Sequence, residues 1–538
     1  MAARSSVRNT DWHRAPAIYE IHPRSFQDTT GSGVGDLPGV LQRLDHVARL
    51  GVDAVWIGPF YVSPMADGGY DIADHRAVDP MFGTLEDFDA VVEKAHDLGL
   101  KLLVDCVFNH TSTDHPWFQA ALNGDEEKAE CYVFRDPKPD GAPPNNWLSQ
   151  FGPPAWTWAH KRQQYYHHQF LSCQPNLNLR NPLVQTMYRE TIEFWLDRGV
   201  DGFRLDVVTA YLFDEEMKDN PPARPVVLSK VTGPSYNPYS YQDHVHDLLP
   251  GDGAAWTENI RKWAGEDTFL IGESNTGNQS IEQALRFTEE GRLNACYTTD
   301  MVSAGNDPVA LKDLLGAMHG KFRAPVWFSS HDQPRHVSTL GNGTPEHAKF
   351  FALLLAAMPG PILLYQGEEL GLPHPELSKD ETTDPFDLLY WPDTIGREAA
   401  RVPIPWTADG PTYGFTEGEP WLPMRWHNDL AVERQEHDQH SVLSFYRQAL
   451  AWRRDSRVGQ PDRFDVDGSE TVLSLRSHVG DKTWLAVFNF STDAGLPVPT
   501  YQHETPEIAT GWNGRMLAPR GAAVWVAHDE DVAQSACG

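Results

Sequence analysis

The sequence predicts an α/β fold, a (β/α)8 TIM barrel with a small inserted domain and a C-terminal antiparallel β domain. Eight short β-type runs recur, separated mostly by helix-like amphipathic stretches. Polar residues collect at the C-terminal ends of several of those runs, and the last part of the chain changes to alternating segments with hairpin-like turns. A chain of 538 residues exceeds one hydrophobic core, so a large barrel accompanied by smaller units is the expected organisation.

AIYEIHPRSF (17–26) reads as a strand, LPGVLQRLDHVARLG as a helix, and VDAVWIGPF (52–60) as the next strand. LEDFDAVVEKAHDLG is again helical, followed by the strand LKLLVDCVFNH (100–110). These strands lack strict alternation, as parallel sheets covered by helices should. Further strands are expected at VDGFRLDVV (200–208), TFLIGES (268–274), LNACYTTD (293–300), APVWFSSHD (324–332) and PILLYQGEE (361–369), which makes eight. His110, Asp206, Glu273 and Asp332 stand at strand ends, and in a barrel those ends line one mouth. A doubly wound open sheet would gather its site at a single switch point instead.

The barrel is expected over 1–110 and 181–458. Residues 111–180, rich in Pro, Asn, Gly, Trp and Tyr, are too long for an ordinary connection and read as a domain inserted over the mouth. A second irregular stretch, 372–430, is expected to fold against the same face. The antiparallel domain is placed at 459–538, after the helix-like SVLSFYRQALAWRR.

Lys plus Arg number 44 against 75 Asp plus Glu, a formal net charge of −31. Such a chain repels nucleic acid and anionic membranes and suits a neutral small-molecule substrate. Five scattered cysteines, Cys106, Cys131, Cys173, Cys296 and Cys537, have no C-x-x-C spacing and an odd count, which argues against a disulfide scaffold. With no apolar leader at the start and no long apolar run later, a cytoplasmic protein is expected, monomer or homodimer.

Chemistry is read from the strand ends. Asp206, Glu273 and Asp332 can converge only in a closed barrel or something like it, and like charges in one site drive at least one carboxyl pKa upward. Arg204, two positions before Asp206 and on the same strand face, can hold a carboxylate ionised, although such a pair alone reads equally well as a structural salt bridge. His110 and His331 offer neutral donors to hydroxyls, Tyr70 an aromatic face, and Asp67 an acceptor. There is no H-E-x-x-H, no phosphate loop and no serine elbow, so a carboxylate site acting on carbohydrate survives best.

DCVFNH (105–110), DGFRLDVV (201–208), IGES (271–274) and SSHD (329–332) resemble, in order and spacing, the conserved blocks of the alpha-amylase superfamily, glycoside hydrolase family thirteen. MADGGYDIADHRAVDPMFGT, NHTSTDHPWF and QPNLN are similar, more narrowly, to its bacterial alpha-glucosidase and oligo-1,6-glucosidase group. The resemblance implies the same barrel, with domain B inserted after the third strand and a C-terminal β domain. It implies Asp206 as nucleophile, Glu273 as general acid/base and Asp332 as the carboxylate that grips the distorted sugar, in a retaining mechanism. It further implies Asp67, Tyr70, His110, Phe151, Arg204, His331 and Arg401 around the terminal glucose, with Arg401, from RVPIPW, pairing with Asp67 to close the pocket and make the enzyme exo-acting.

Val207, directly after the implied nucleophile, goes in this group with alpha-1,6 linkages, where Ala or Thr goes with alpha-1,4, so a slight lean to alpha-1,6 is expected. A difference in side-chain shape of this size is worth only about 1–3 kcal/mol. Isomaltose, maltose and sucrose are the implied substrate types. A transglucosidase or sucrose isomerase would use the same glucosyl-enzyme, and a noncatalytic binding subunit, like the heavy chains of amino-acid transporters, is the remote alternative. The chain departs from the family pattern at three places. In DTTGSGVGD, Thr30 and Ser32 replace an amide and a carboxylate between Asp28 and Asp36, which weakens a structural Ca2+ or Mg2+ site there. Ser330 stands where Asn is common, and Asn176 where Asp is common. No cofactor is required for the chemistry.

Overall fold

Short apolar runs buried on both faces become the parallel strands. In the computed structural model, which describes residues 11–224, 237–274, 280–394, 396–498 and 505–527, the barrel strands are β1 (Ala17–Ile21), β2 (Ala54–Ile57), β3 (Lys101–Cys106), β4 (Gly202–Leu205), β5 (Phe269–Ser274), β6 (Ala295–Thr298) and β7 (Ile362–Tyr365). They hydrogen-bond in the order β6-β5-β4-β3-β2-β1-β7, every pair parallel.

The run expected as an eighth strand at 324–332 is not a strand. Pro325 removes one ladder donor, and a proline is not tolerated between two hydrogen-bonded neighbours. The segment closes the barrel with a few isolated bonds instead. Cys296 N donates to Arg323 O at 3.0 Å on one side, while Val326 N donates to Pro361 O at 3.1 Å and Leu363 N to Val326 O at 3.0 Å on the other. The expected runs also overshoot their strands, because the ladder stops where the chain turns into the loops of the mouth.

Side-chain parity fixes what faces the barrel axis. Ile18, Ala54, Trp56, Leu103, Phe269, Ile271, Ala295, Tyr297, Trp327 and Leu363 form one apolar cluster inside the ring. Phe203 and Leu205 belong to the larger core between strands and helices. The inward positions of β4 are therefore Gly202 and Arg204, which stand in register with Phe269 and Ile271 of β5. A side chain is missing from this layer at Gly202 for a steric reason: an added Cβ would lie 2.5 Å from Phe269 O and 3.1 Å from Leu103 Cγ.

The outer helices are α1 (Leu37–Leu50), α2 (Leu85–Asp97), α3 (Pro182–Asp197), α4 (Pro250–Ala264), α5 (Ser280–Phe287), α6 (Pro308–Ala317), α7 (Pro345–Ala357) and α8 (Val442–Ser456). Asp36 caps α1 through Gly39 N, and Thr84 with Asp87 forms a capping box on α2. Helices α3, α4, α6 and α7 each begin with proline, whose missing donor costs nothing at that position.

Between β3 and α3, residues 134–135, 164–167 and 156–159 form a three-stranded antiparallel sheet. Near the C-terminus, strands at 463–468, 472–479, 482–489, 516–527 and 496–497 make an antiparallel sheet to which 508–512 adds on 516–527. Cys106, Cys131, Cys173 and Cys296 are free thiols. Cys537, the start of the chain over 1–10 and the end over 528–538 lie outside the described residues. Among the described residues no helix is long and apolar enough to cross a membrane.

Gly202→Ala should test the close approach of β3, β4 and β5. Overpacking of this kind costs about 1–3 kcal/mol, so thermal unfolding should show a clearly lowered midpoint, and an unchanged one would contradict the packing described.

Candidate active site

The barrel mouth holds a pocket with about 770 Å³ of empty space, its opening to solvent included. Its floor is organised by one arginine. Arg204 is 1% exposed, and its guanidinium reaches three strands. Nη1 donates to Asp105 Oδ1 of β3 and to Asp206 Oδ1, both at 2.7 Å. Nη2 donates to Glu273 Oε2 of β5 and to Tyr297 OH of β6, the latter at 2.7 Å, and Nε also donates to Tyr297 OH, at 2.9 Å. A fork of five donors suits such a multi-acceptor site better than an ammonium would. Register explains the convergence, since Asp105 is the Cα partner of Arg204 and Glu273 that of Tyr297.

Asp105 is held from its other side by Trp56 Nε1 at 2.9 Å and Tyr70 OH at 3.3 Å. Asp206 and Glu273 keep an edge toward the pocket. Burial pushes the Asp206 carboxyl up, Arg204 pulls it down, and the neighbouring Glu273, Asp105 and Asp332 push it up again, leaving it well above the usual carboxylate range. A proton held this way belongs to the carboxyl cluster as a whole, so its titration is shared.

The opposite wall carries a second charge network. Burial disfavours the charge on Asp332, yet His331, Arg397 and Arg401 hold its carboxyl well below the usual range. Arg401 Nη2 donates to Asp332 Oδ1 at 2.6 Å and its Nε to His331 O at 2.8 Å. Arg397 Nη2 donates to Asp67 Oδ1 at 2.5 Å. Asp384 anchors both arginines, 2.7 Å from Arg397 Nε and 3.3 Å from Arg401 Nη1. Gln174 Nε2 donates to the other oxygen of Asp67 at 2.9 Å.

The pairing expected for Arg401 is thus corrected: Asp67 is closed off by Arg397, four residues earlier in the chain, and Arg401 serves Asp332. The i,i+4 spacing of the two arginines in GREAARVPIPW was the available signal.

Of the residues read from sequence, Asp67, Tyr70, His110, Phe151, Asp206, Val207, Glu273, His331 and Asp332 line the pocket together. Arg204 and Arg401 stand behind it, both buried. Sequence reasoning missed Arg397, Phe170, Tyr297, Trp327 and Phe386 on the lining, and Asp105, Glu20 and Asp384 behind it.

The histidines differ. Burial pushes His110 down to about 4 in spite of nearby Asp67, so it is neutral, engaged with Tyr70 O at 3.1 Å and Asn109 Oδ1 at 3.2 Å. His331 was expected neutral as well. Burial acts in that direction, but Asp332 and Glu20 outweigh it and raise the imidazole. Its Nδ1 lies 2.5 Å from Glu20 Oε1 and its Nε2 2.9 Å from Tyr70 OH.

Two departures from the family pattern find a structural role. Asn176 Nδ2 donates to Asn109 Oδ1 at 3.1 Å, a bond that an ionised aspartate could not make. Ser330 Oγ accepts from Asp332 N at 3.1 Å.

The Asp28 loop is satisfied by the chain itself. Asp28 accepts from Thr30 N, Gly31 N, Gly33 N and Thr416 Oγ1, and Asp36 accepts from Thr29 N and Gly39 N. A hard cation takes several oxygen ligands and its affinity follows their charge; Asp28 and Asp36 are the two carboxylates of this loop, and Thr30 and Ser32 offer uncharged hydroxyls between them. Among the described residues no group of three His, Cys, Asp or Glu is placed to hold a metal.

Residues 20–460 match the alpha-amylase catalytic domain. The chain is 42% identical over 501 residues to a probable alpha-glucosidase of Rhizobium meliloti (strain 1021), covering 90% of each. It is 35% identical over 522 residues to the trehalose-6-phosphate hydrolase of Escherichia coli (strain K12), covering 90% of this chain and 91% of that one. Among solved structures it resembles an alpha-glucosyl transfer enzyme, XgtA, with a TM-score of 0.90 and 39% identity, over 96% of this chain and 99% of the other.

Difference potentiometric titration of the parent against Asp206→Asn should place the carboxyl midpoint above the ordinary value of about 3.9. Arg204→Met, which removes the one group pulling Asp206 down, should raise it further. A midpoint at or below the ordinary value would contradict the balance described.

Proposed function

The chain belongs to the alpha-amylase family and is a glycoside hydrolase; from that premise we propose that it is an exo-acting, retaining alpha-glucosidase on short alpha-glucosides. The observation that carries this reading is a single buried guanidinium holding Asp206 and Glu273 at the floor of a pocket whose far wall is closed by ion pairs.

The chemistry follows from the arrangement. Among the described residues the Asp206 carboxylate accepts one side-chain hydrogen bond, from Arg204 to Oδ1, so Oδ2 is the oxygen free to attack an anomeric carbon. The coupled floor carboxyls share a proton; with that proton on Glu273 and Asp206 ionised beside Arg204, Glu273 protonates the glycosidic oxygen as that bond breaks, and a covalent glucosyl ester forms on Asp206. Water then enters, Glu273 takes its proton, and the sugar leaves with its original anomeric configuration. Asp332, kept ionised by Arg401, Arg397 and His331, stabilises the positive charge that develops on the sugar ring.

Arg397 with Asp67 and Gln174, and Arg401 with Asp332 and Asp384, form a continuous wall. Such a wall admits a chain end and excludes an internal segment, which supports one glucose released at a time. The carboxylates Asp67, Asp206, Glu273 and Asp332 on the lining support an uncharged sugar over a phosphorylated one. Val207 at the lining supports the slight lean toward alpha-1,6 linkages. A cytoplasmic location fits the free thiols.

Transfer of the glucosyl group to a sugar or another hydroxyl is the second reading, favoured by the similarity to the glucosyl transfer enzyme. The same glucosyl-enzyme serves both, and the competition between water and acceptor decides.

Glu273→Gln should lower kcat/KM toward maltose and isomaltose by about 10²- to 10⁴-fold, with a much smaller loss on an aryl alpha-glucoside whose leaving group needs no proton. Equal losses on both would remove the acid role. Initial rates on alpha-1,1, -1,2, -1,3, -1,4 and -1,6 glucosides, with products resolved, should show glucose release and a modest preference for isomaltose. A marked preference for maltose would refute the linkage assignment, and new linkages would favour transfer.

A further inference from the structure

Val207 adopts φ 42° and ψ 52°, the left-handed region that glycine occupies freely. For a β-branched side chain this is the least suitable conformation, and holding it costs on the order of 1–3 kcal/mol. The turn is pinned on both sides. Asp206 N donates to Cys106 O at 3.0 Å, and Ala210 N donates to Val207 O at 2.9 Å. Between these points the chain leaves β4 and turns into the 3-10 segment Val208–Ala210.

Val207 is 5% exposed and belongs to an apolar cluster with Phe151, Phe170, Leu248 and Phe386. Phe151 and Phe170 come from the insertion after β3, and Phe386 from the irregular stretch before α8. The aromatic part of the packing that offsets the backbone strain therefore comes from the two regions that build the pocket rim. Arg204 fixes only Oδ1 of Asp206, so the aim of the other oxygen depends on the backbone that follows.

We infer that Val207 is a positioning residue, whose side chain, buried in the apolar cluster that holds Phe151, Phe170 and Phe386, keeps the left-handed turn that directs the Asp206 carboxylate into the pocket. This rests on the glucosidase reading and goes beyond linkage choice. Contact with the departing sugar alone would give a chain no reason to keep a β-branched residue in this conformation. Strain at a reacting group that its surroundings over-determine is a known route to pre-organisation.

The test is kcat/KM for a nitrophenyl alpha-glucoside, which reports ester formation on Asp206 with no need of proton donation and without a second sugar. Val207→Gly removes the wedge and suits the backbone angle, so the protein should fold, with an unfolding midpoint close to that of the parent. Its kcat/KM should fall about 10- to 100-fold, with the first-turnover rate of nitrophenol release at saturating substrate falling to the same extent. Val207→Ile keeps a β-branched wedge and should stay within about threefold of the parent kcat/KM. Parental kcat/KM in Val207→Gly, or an equal loss in Val207→Ile, would overturn the inference, whatever happens to the ratio of maltose to isomaltose turnover. A parent protein inactive on the aryl glucoside would overturn the glucosidase reading and this inference with it.

Discussion

A buried guanidinium surrounded by carboxylates is the constraint on which the mouth of this barrel depends. Arg204 lies out of contact with water and cannot lose its charge, so each acceptor around it must be fixed before the chain can bury it. That requirement reaches through β3, β4, β5 and β6 at once, because Asp105, Asp206, Glu273 and Tyr297 are delivered by different strands. A slip of one residue in β4 would turn Arg204 toward the helices and leave a charge with no partner. Gly202, two positions earlier, permits the neighbouring strands to approach closely enough for the register to hold.

The site thus has two poles with different electrostatics. At the floor, one cation serves several acids, whose mutual repulsion raises the Asp206 carboxyl and leaves a proton shared within the group. On the far wall, two arginines and a histidine converge on Asp332, and it stays ionised. Two acids of the same type are pushed apart by their surroundings, which is how a pocket assigns different roles to chemically similar groups. Asp384 links the wall to the irregular stretch before α8, and Gln174 links it to the insertion after β3. Rim and catalytic floor are one packed structure.

The departures from the family pattern are local. Asn176 donates where a carboxylate would only accept, and Ser330 caps the backbone of Asp332. The Asp28 loop closes on its own amides. None of these changes reaches the oxygens of Asp206 or Glu273.

The sequence by itself determined the barrel and the acids. Strand and helix periodicity is local, and polar residues at strand ends can be read without knowing what they touch. It also carried Arg204, because alternation places side chains two apart on one face of a strand. What it overstated was the segment at 324–332, where a single proline outweighs an apolar run. Only the tertiary structure decided which arginine closes Asp67, that His331 is raised by Glu20 and Asp332, and that Asp384 stands behind both wall arginines. Those residues lie up to hundreds of positions apart, and their pairing depends on how long irregular loops pack, for which no periodicity exists. The backbone of Val207 belongs to the same class: its letter gave shape, but its left-handed turn is set by aromatic rings from two distant segments.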